Sequence, residues 1–182
     1  MKIKFLENSS FIIESEGKKI YINPEKEPTD ASLVLFSYFE KGADFELKAK
    51  INWPGEFEYN EIAVKAYNPR GEKIIHSFDL EGIRIGFLGE LKKLISQEKL
   101  ESFMDTDILI IPKYQDGISD KDLKKLAEEI DPRIIILSGE DALFEGVFRE
   151  LGNANPERTK EFEISKSKLP SEHTLHVLLE RE

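Results

Sequence analysis

The 182-residue sequence contains no cysteine, three histidines, two methionines and a single tryptophan. Without cysteine there is no disulfide framework, no thiolate zinc knuckle, no iron–sulfur ligation and no thiol nucleophile. Three histidines leave little material for an imidazole-rich metal centre. No apolar run approaches the roughly 20 residues of a membrane-spanning helix, and Met1–Phe11 is too polar for a secretory signal. Basic residues are also in deficit: 26 Lys+Arg against 36 Asp+Glu give a formal charge of −10. Such a balance argues against a duplex-binding surface, which clusters Lys and Arg to displace counterions. These absences predict a soluble cytoplasmic protein with neither a nucleic-acid nor a membrane partner.

Charge is abundant, at 34% of residues and mostly Lys and Glu, a composition that resembles a thermophile's. A chain of this length buries a core without staples, and no repeat, low-complexity tract or Pro/Ser linker divides it. Residues 1–182 therefore read as one domain.

Short β-rich runs come first, at Lys2–Leu6, Phe11–Glu14, Lys19–Ile22 and Ser32–Phe36. Glu16-Gly17 reads as a hairpin turn, because glycine tolerates the positive φ such turns need. A longer β region spans Phe57–Tyr67, and Lys73–Leu80 and Ile83–Leu88 are joined by the Glu81-Gly82 turn. Ser96–Phe103 predicts a short helix, and Asp107–Ile111 an apolar strand ending at Pro112. Ser119-Asp120 caps a helix over Lys121–Ile130, with Leu123, Leu126, Ala127 and Ile130 on one stripe. Arg133–Leu137 reads as a buried strand, Asp141–Leu151 as a second amphipathic helix closed by Gly152, and Phe162–Ser165 and Thr174–Glu180 as final strands. A β-meander followed by alternating strands and helices predicts sheets covered by helices, in the α/β or α+β class.

Eight short segments, in order along nearly the whole chain, carry a more specific resemblance. Phe5–Phe11 stands where a W-L-G-H-S-C-F type of run occurs, and Lys19–Pro24 resembles a K-I-L-I-D-P strand. Ala31–Ser37 is similar to a strand that delivers an H-x-H-x-D-H motif. Trp53–Glu58 matches a G-P-G-E-Y-E signature, and Gly82–Leu91 resembles G-L-R-I-x-H-L-G-D-L. Asp107–Pro112, Asp131–Ile136 and Leu169–Glu172 resemble the later strands and the closing L-P-x-E. The sequence thereby resembles the metallo-β-lactamase superfamily, in particular its small branch of Zn-dependent, lactonase-like hydrolases. That resemblance implies an α+β fold, an αββα sandwich with a metal site in the cleft at one edge of the two sheets.

The family's chemistry uses two divalent metals that hold a hydroxide and polarise the scissile group. The ligand positions the resemblance implies are mostly not filled by ligands. The first motif falls on Tyr38, Glu40, Gly42 and Ala43, of which only Glu40 is a conventional donor. No histidine stands at Tyr67-Asn68-Pro69, and His76 lies further on, within a strand. Glu90 occupies the bridging aspartate position, Ser138-Gly139-Glu140 the last ligand position, Asn8 that of a histidine and Asn23 that of an aspartate. Tyr38, Glu40, Glu56, Glu90 and Ser138 are thus the residues expected at a vestigial cleft, with no catalytic residue and no resident cofactor. The neutral residues Asn23, Gly42 and Ala43 relieve the repulsion that metal loss would leave among carboxylates. A buried Glu90 would need a cation or a raised pKa, with Lys41 or Lys113 as partner by position.

Plainer readings stand beside these. Glu56 and Glu58, two apart, share a strand face that is ordinarily just polar surface. His76 by default faces solvent or bonds locally, and His173 and His176, three apart, point to opposite faces of a strand. Ser9, Ser37 and Ser138 lie in no nucleophile elbow. Lys92–Glu101 reads as a solvated helix face. The expectation is a non-catalytic member of the fold, a ligand-binding or structural subunit that forms homo-oligomers or pairs with an active relative. The alternative is a metal-dependent hydrolase with a rearranged site of Glu40, Glu90 and His76, holding a weakly bound divalent metal.

Overall fold

The computed structural model describes residues 1–39, 41–42, 44–69, 73–96, 100–139, 143–152 and 156–181. Strands β1 (Lys2–Glu7), β2 (Ser10–Ser15) and β3 (Lys18–Ile22) form an antiparallel meander. β4 (Leu33–Leu35) and β5 (Lys50–Ile51) extend it in parallel, and β13 (Glu161–Glu163) pairs with β1 at the other edge. A second sheet begins with the antiparallel strands β6 (Gly55–Tyr59), β7 (Ile62–Tyr67), β8 (Ile75–Leu80) and β9 (Ile83–Phe87). It continues in parallel through β10 (Ile108–Lys113), β11 (Ile134–Gly139), β14 (Leu175–Leu179) and β12 (Glu157–Thr159). The orders are β13-β1-β2-β3-β4-β5 and β12-β14-β11-β10-β9-β8-β7-β6.

Turn chemistry sets the meanders. Glu16-Gly17 (φ 45° and 78°) and Glu81-Gly82 (φ 54° and 70°) both place two residues in the left-handed region. That backbone twist matches the twist of the flanking strands. The expected continuous β region over Phe57–Tyr67 is instead a hairpin, turned at Asn60-Glu61 (φ 51° and 64°). With no glycine there, the turn signal was weak.

Strand alternation assigns the faces. Ile3, Phe5, Phe11, Ile13, Ile20 and Ile22 of the first sheet face Val64, Phe78, Ile85, Ile110 and Ile136 of the second across one dry core. Phe11, fully buried, joins the sheets: its ring lies 5.3 Å from Phe5 beside it and 5.7 Å from Phe87 opposite. The other face of the second sheet carries Leu109, Ile111, Ile135 and Leu137, which pack under helices α1 (Asp120–Ile130) and α2 (Phe144–Glu150). α1 forms as expected, with Ser119 Oγ accepting the Asp122 N–H at 3.2 Å and Leu123, Leu126, Ala127 and Ile130 buried. The outer face of the first sheet is ionic. Lys2 meets Glu161 at 2.8 Å and Glu163 at 3.2 Å, and Lys19 meets Glu14 at 3.3 Å and Asp30 at 2.7 Å. Among the described residues no α-helix covers it, since it offers no apolar stripe to bury.

The short helix expected at Ser96–Phe103 is present where the segment is described: Leu100 N–H donates to the Ser96 carbonyl at 3.0 Å in the α-helical pattern, and a 3-10 turn, Glu101–Phe103, follows, with residues 97–99 outside the described residues. One further expectation changes. β10 does not stop at Pro112 but runs to Lys113, with Pro112 opposite Ser138. Leu88 N–H bonds the Ile110 carbonyl at 3.1 Å, so the backbone of Ile110, and of Pro112 two residues on, points toward β9. β9 pairs with β10 only as far as Ile110, so the missing proline N–H costs no ladder bond.

Phe11→Ala should lower stability by about 3–5 kcal/mol, the usual cost of emptying a buried aromatic site. Urea unfolding followed by far-ultraviolet circular dichroism measures it. A loss below about 1 kcal/mol would mean that the sheets do not depend on this ring contact.

Candidate functional site

Strand ends of both sheets converge at one rim of the sandwich. The first sheet supplies Ser9 from the β1–β2 turn, Asn23 immediately after β3, and Ser37-Tyr38 just beyond β4. The second supplies Lys73 ahead of β8, Glu90 after β9 and Tyr114 after β10. A backbone bond joins the two rims, Ile74 N–H donating to the Ser37 carbonyl at 2.8 Å, while within the first sheet Asn23 N–H donates to the Leu35 carbonyl at 2.8 Å.

Asn23 is the hub. It is buried, its φ of 48° turns its side chain inward, and its amide serves both chains beside it. Nδ2 donates to the Ser9 carbonyl at 3.3 Å, to Ser9 Oγ at 3.1 Å and to Ser37 Oγ at 3.1 Å, while Oδ1 accepts the Ser37 N–H at 2.7 Å. A carboxylate could not donate to the Ser9 carbonyl, so this geometry requires asparagine. Gly89 (φ 55°) lets the second sheet approach, since a Cβ there would lie 2.9 Å from Ser37 Oγ.

Glu90 occupies the centre. Its Oε1 accepts the Tyr38 hydroxyl and, at 3.5 Å, Ser9 Oγ. Its Oε2 faces Lys73 Nζ at 3.6 Å, and the same ammonium sits 3.4 Å from the centre of the Tyr38 ring. Burial pushes the Glu90 carboxyl above the usual carboxylate range, opposed by the Tyr114 and Ser9 hydroxyls and by the charge of Lys92. The Tyr114 hydroxyl is close enough to act on Glu90 yet reaches no partner in hydrogen-bond geometry. Its ionisation is pushed up, chiefly by burial.

Glu90 thus has the cation it was expected to need, but neither expected partner supplies it. Lys113 Nζ is taken by the Ile118 carbonyl at 2.7 Å and Asp120 Oδ1 at 2.8 Å, on the helix side of β10. Lys41 Nζ stands 5.1 Å from the Tyr38 ring centre. Lys73 is seventeen positions before Glu90 in the chain and reaches it only through the closure of the two sheets. Nothing in the local sequence marks it.

The other expected residues divide. Tyr38 and Glu90 meet. Glu40 and Ala43 lie outside the described residues. Gly42 cannot be a ligand position in any residue form: its φ is 67°, and a side chain there would run into the Phe36 ring. Glu56 is exposed on edge strand β6, where it faces Lys65 at 3.7 Å and takes no part in the cluster. Ser138 is fully buried on the core-facing side of β11, and its hydroxyl has no partner. His76 is neither solvent-facing nor locally bonded. It alternates with Ile74 and Phe78 into the dry core, 6.4 Å from the Phe87 ring, with both ring nitrogens unpartnered. Desolvation there pushes its pKa down to about 3. His173 is exposed and His176 buried, so that pair does not converge.

At the rim, Trp53 is 56% exposed and held edge-on by Phe39 at 5.4 Å, one residue from Tyr38. Lys50 Nζ fixes the intervening loop through the Gly42 and Phe45 carbonyls, at 2.8 and 2.7 Å. Sequence reasoning missed both Trp53 and Lys73 as cleft residues.

The described donor set does not fit a dinuclear zinc centre. Such a centre needs converging imidazoles and carboxylates, whereas among the described residues, which do not include Glu40 and Glu140, this rim offers one carboxylate, hydroxyls, a carboxamide and an ammonium. Among the described residues no three His, Cys, Asp or Glu side chains come together.

Residues 37–137 match a family model described as a beta-lactamase superfamily domain. Among solved structures, a metallo-beta-lactamase superfamily protein from Thermotoga maritima is 23% identical, with a TM-score of 0.80 and 98% of each chain covered. A protein from Parabacteroides distasonis classed with metal-dependent hydrolases is 12% identical, at a TM-score of 0.69, over 99% of this chain and 93% of that one. The metallo-beta-lactamase fold protein YhfI from Bacillus subtilis is 9% identical, at 0.61, over 84% and 93%. At such identities the likeness is one of fold. No curated protein sequence matches the chain.

The buried imidazole makes a pH prediction. An unfolded chain protonates His76 near 6.5, while the folded chain refuses the proton until about pH 3. Its contribution to stability is therefore complete above 6.5 and is lost as pH falls toward 3, by up to about 1.4 kcal/mol per pH unit. His76→Leu removes that slope and two unpartnered nitrogens, so its melting temperature should exceed wild type near pH 5 by more than it does near pH 8. Parallel loss of stability in the two proteins on acidification would contradict this placement.

Proposed function

Because the chain belongs to the beta-lactamase superfamily, whose family model covers residues 37–137, we propose that it is a member that has exchanged dinuclear metal chemistry for a self-neutralised polar cleft. It works in the cytoplasm without hydrolysis, as a binding or assembly subunit. The observation that carries this reading is the Lys73 ammonium, 3.6 Å from the Glu90 carboxylate and over the Tyr38 ring. A fixed cation in that position neutralises the carboxylate and would repel a dication arriving beside it.

Three features support the reading. Gly42 stands at a family ligand position that its φ and the Phe36 ring close to any side chain. Asn23 Nδ2 donates to the Ser9 carbonyl, a bond that no carboxylate can make. His76, the nearest spare imidazole in sequence, is in the core rather than at the rim. The rim retains what a binding surface needs: exposed Trp53 and the Lys41 ammonium. Homo-oligomers, or pairing with an active relative, would place this rim against a second chain.

The protein, purified under metal-replete conditions, should carry zinc, manganese, iron and magnesium far below one per chain, and should turn over neither phosphodiesters nor lactones. Near-stoichiometric zinc with turnover would end the proposal. Lys73→Met provides an independent check, since it strips Glu90 of its cation. Removing one partner of such a part-buried pair should cost about 1–3 kcal/mol of stability, with Glu90→Gln added to Lys73→Met restoring part of the loss. Equal stability of wild type and Lys73→Met would mean the ion pair is incidental.

A further inference from the structure

Four strands stand at sheet edges. β5 has two residues, β12 and β13 have three each, and β6 has five, Gly55–Tyr59. Short edges offer little to pair with, so β6 is the edge where pairing would pay most. Its register with β7 runs unbroken over five residue pairs, with no bulge, and neither lysine nor proline lies within it. The usual devices that close an edge strand are therefore missing, apart from charge.

The hairpin fixes which backbone groups the edge presents. A two-residue loop, Asn60-Glu61, closes on the hydrogen-bonded pair Tyr59–Ile62. Bonded pairs alternate along an antiparallel ladder, so Phe57–Val64 and Gly55–Ala66 are the next two. The N–H and C=O groups of Glu56 and Glu58 consequently point away from β7. No backbone bond to either residue occurs outside the ladder among the described residues. The side chains divide as strand alternation requires. Phe57 and Tyr59 pack on the margin of the dry core and stay half-exposed there, while Glu56 and Glu58 are exposed on the opposite face.

We infer that β6 is a docking edge for an extended segment of another protein, one with Lys or Arg at alternate positions and apolar residues between them. Such a segment adds to the second sheet as a further strand, and main-chain bonds to Glu56 and Glu58 supply its attachment. Its basic side chains lie opposite the two carboxylates, of which Glu56 faces only Lys65, at 3.7 Å, and Glu58 no cation among the described residues. Its apolar side chains cover the half-exposed rings of Phe57 and Tyr59. The same carboxylates argue against a second copy of this chain. An antiparallel β6–β6 pair through these groups sets Glu56 opposite Glu58 of the other copy, or Glu58 opposite itself, and like charges placed so are destabilising. The edge lies apart from the Glu90 cluster, and the inference holds whatever the cleft binds.

A fluorescein-labelled Lys-Val-Lys-Val-Lys peptide, blocked at its C terminus, tests this by fluorescence anisotropy with the intact protein at physiological salt. Saturable one-to-one binding is expected, with a Glu-Val-Glu-Val-Glu peptide and the blocked-order Lys-Lys-Lys-Val-Val peptide each at least about tenfold weaker. Amide hydrogen exchange followed by nuclear magnetic resonance gives the structural readout. With peptide at about ten times its Kd, exchange at Glu56 and Glu58 should slow about tenfold, while that at Phe57, already bonded to β7, stays the same. Glu58→Gln should weaken binding about two- to fivefold, the worth of one cross-strand charge pair. Glu58→Pro should abolish binding and keep the wild-type circular dichroism spectrum, because the N–H it removes makes no bond to β7. Equal affinity for the blocked-order peptide would reduce the effect to diffuse charge attraction and overturn the inference. Binding without protection of the Glu56 and Glu58 amides, or undiminished binding by Glu58→Pro, would overturn it as well. Self-association of the wild type that Glu58→Pro abolishes would assign the edge to a second copy instead.

Discussion

Two sheets packed face to face stay together only while the space between them is dry. Here the space is filled by isoleucine, leucine, valine and phenylalanine, with Phe11 in contact with rings on both sides. Everything polar that joins the sheets is therefore pushed to the rim, where strands end and backbone groups need partners. Asn23, Ser9 and Ser37 meet that need with an amide and two hydroxyls. The cleft is in this sense the finish of a sandwich edge, and its chemistry follows from where the dry core stops. His76 and Ser138 are exceptions, an imidazole and a hydroxyl that are fully buried and have no hydrogen-bond partner among the described residues.

At that rim the controlling quantity is charge. A carboxylate drawn partly out of water must find a cation, donors, or a proton. Glu90 has the first two, from Lys73, Tyr38 and Ser9, and burial moves it toward the third. Tyr38 joins the parts, since its hydroxyl donates to the carboxylate while its ring faces the ammonium that neutralises it. Among the described residues, the donors and the charges of this cluster are turned toward one another.

Local signals were readable wherever a single residue type decides the backbone. Glu16-Gly17 and Glu81-Gly82 announced their turns, and Ser119 announced α1, because glycine and a capping hydroxyl act within a few residues. Asn60-Glu61 turned a strand without announcing it, and Pro112 misled because its effect depends on where β9 ends, a fact of the other strand. In the cleft, Tyr38 and Glu90 were legible from their places in ordered motifs. Lys73 was not, since its pairing arises only when the sheets close, and no spacing encodes a contact of that kind. Glu56 failed for a related reason. The shared face of Glu56 and Glu58 was legible, but only the position of β6 at the edge of the sheet reveals that this face looks away from the cleft.

The chain's one tryptophan stands more than half exposed at the cleft rim, against Phe39, while twelve phenylalanines supply the aromatic content on which the core draws. Indole emission from this protein is consequently a local signal. It reports what touches or shields Trp53, and it is nearly blind to the packing of Phe11 against Phe87. An unfolding curve read by that emission would follow the rim rather than the body of the sandwich. A molecule settling at the rim, by contrast, would change the light of the whole protein.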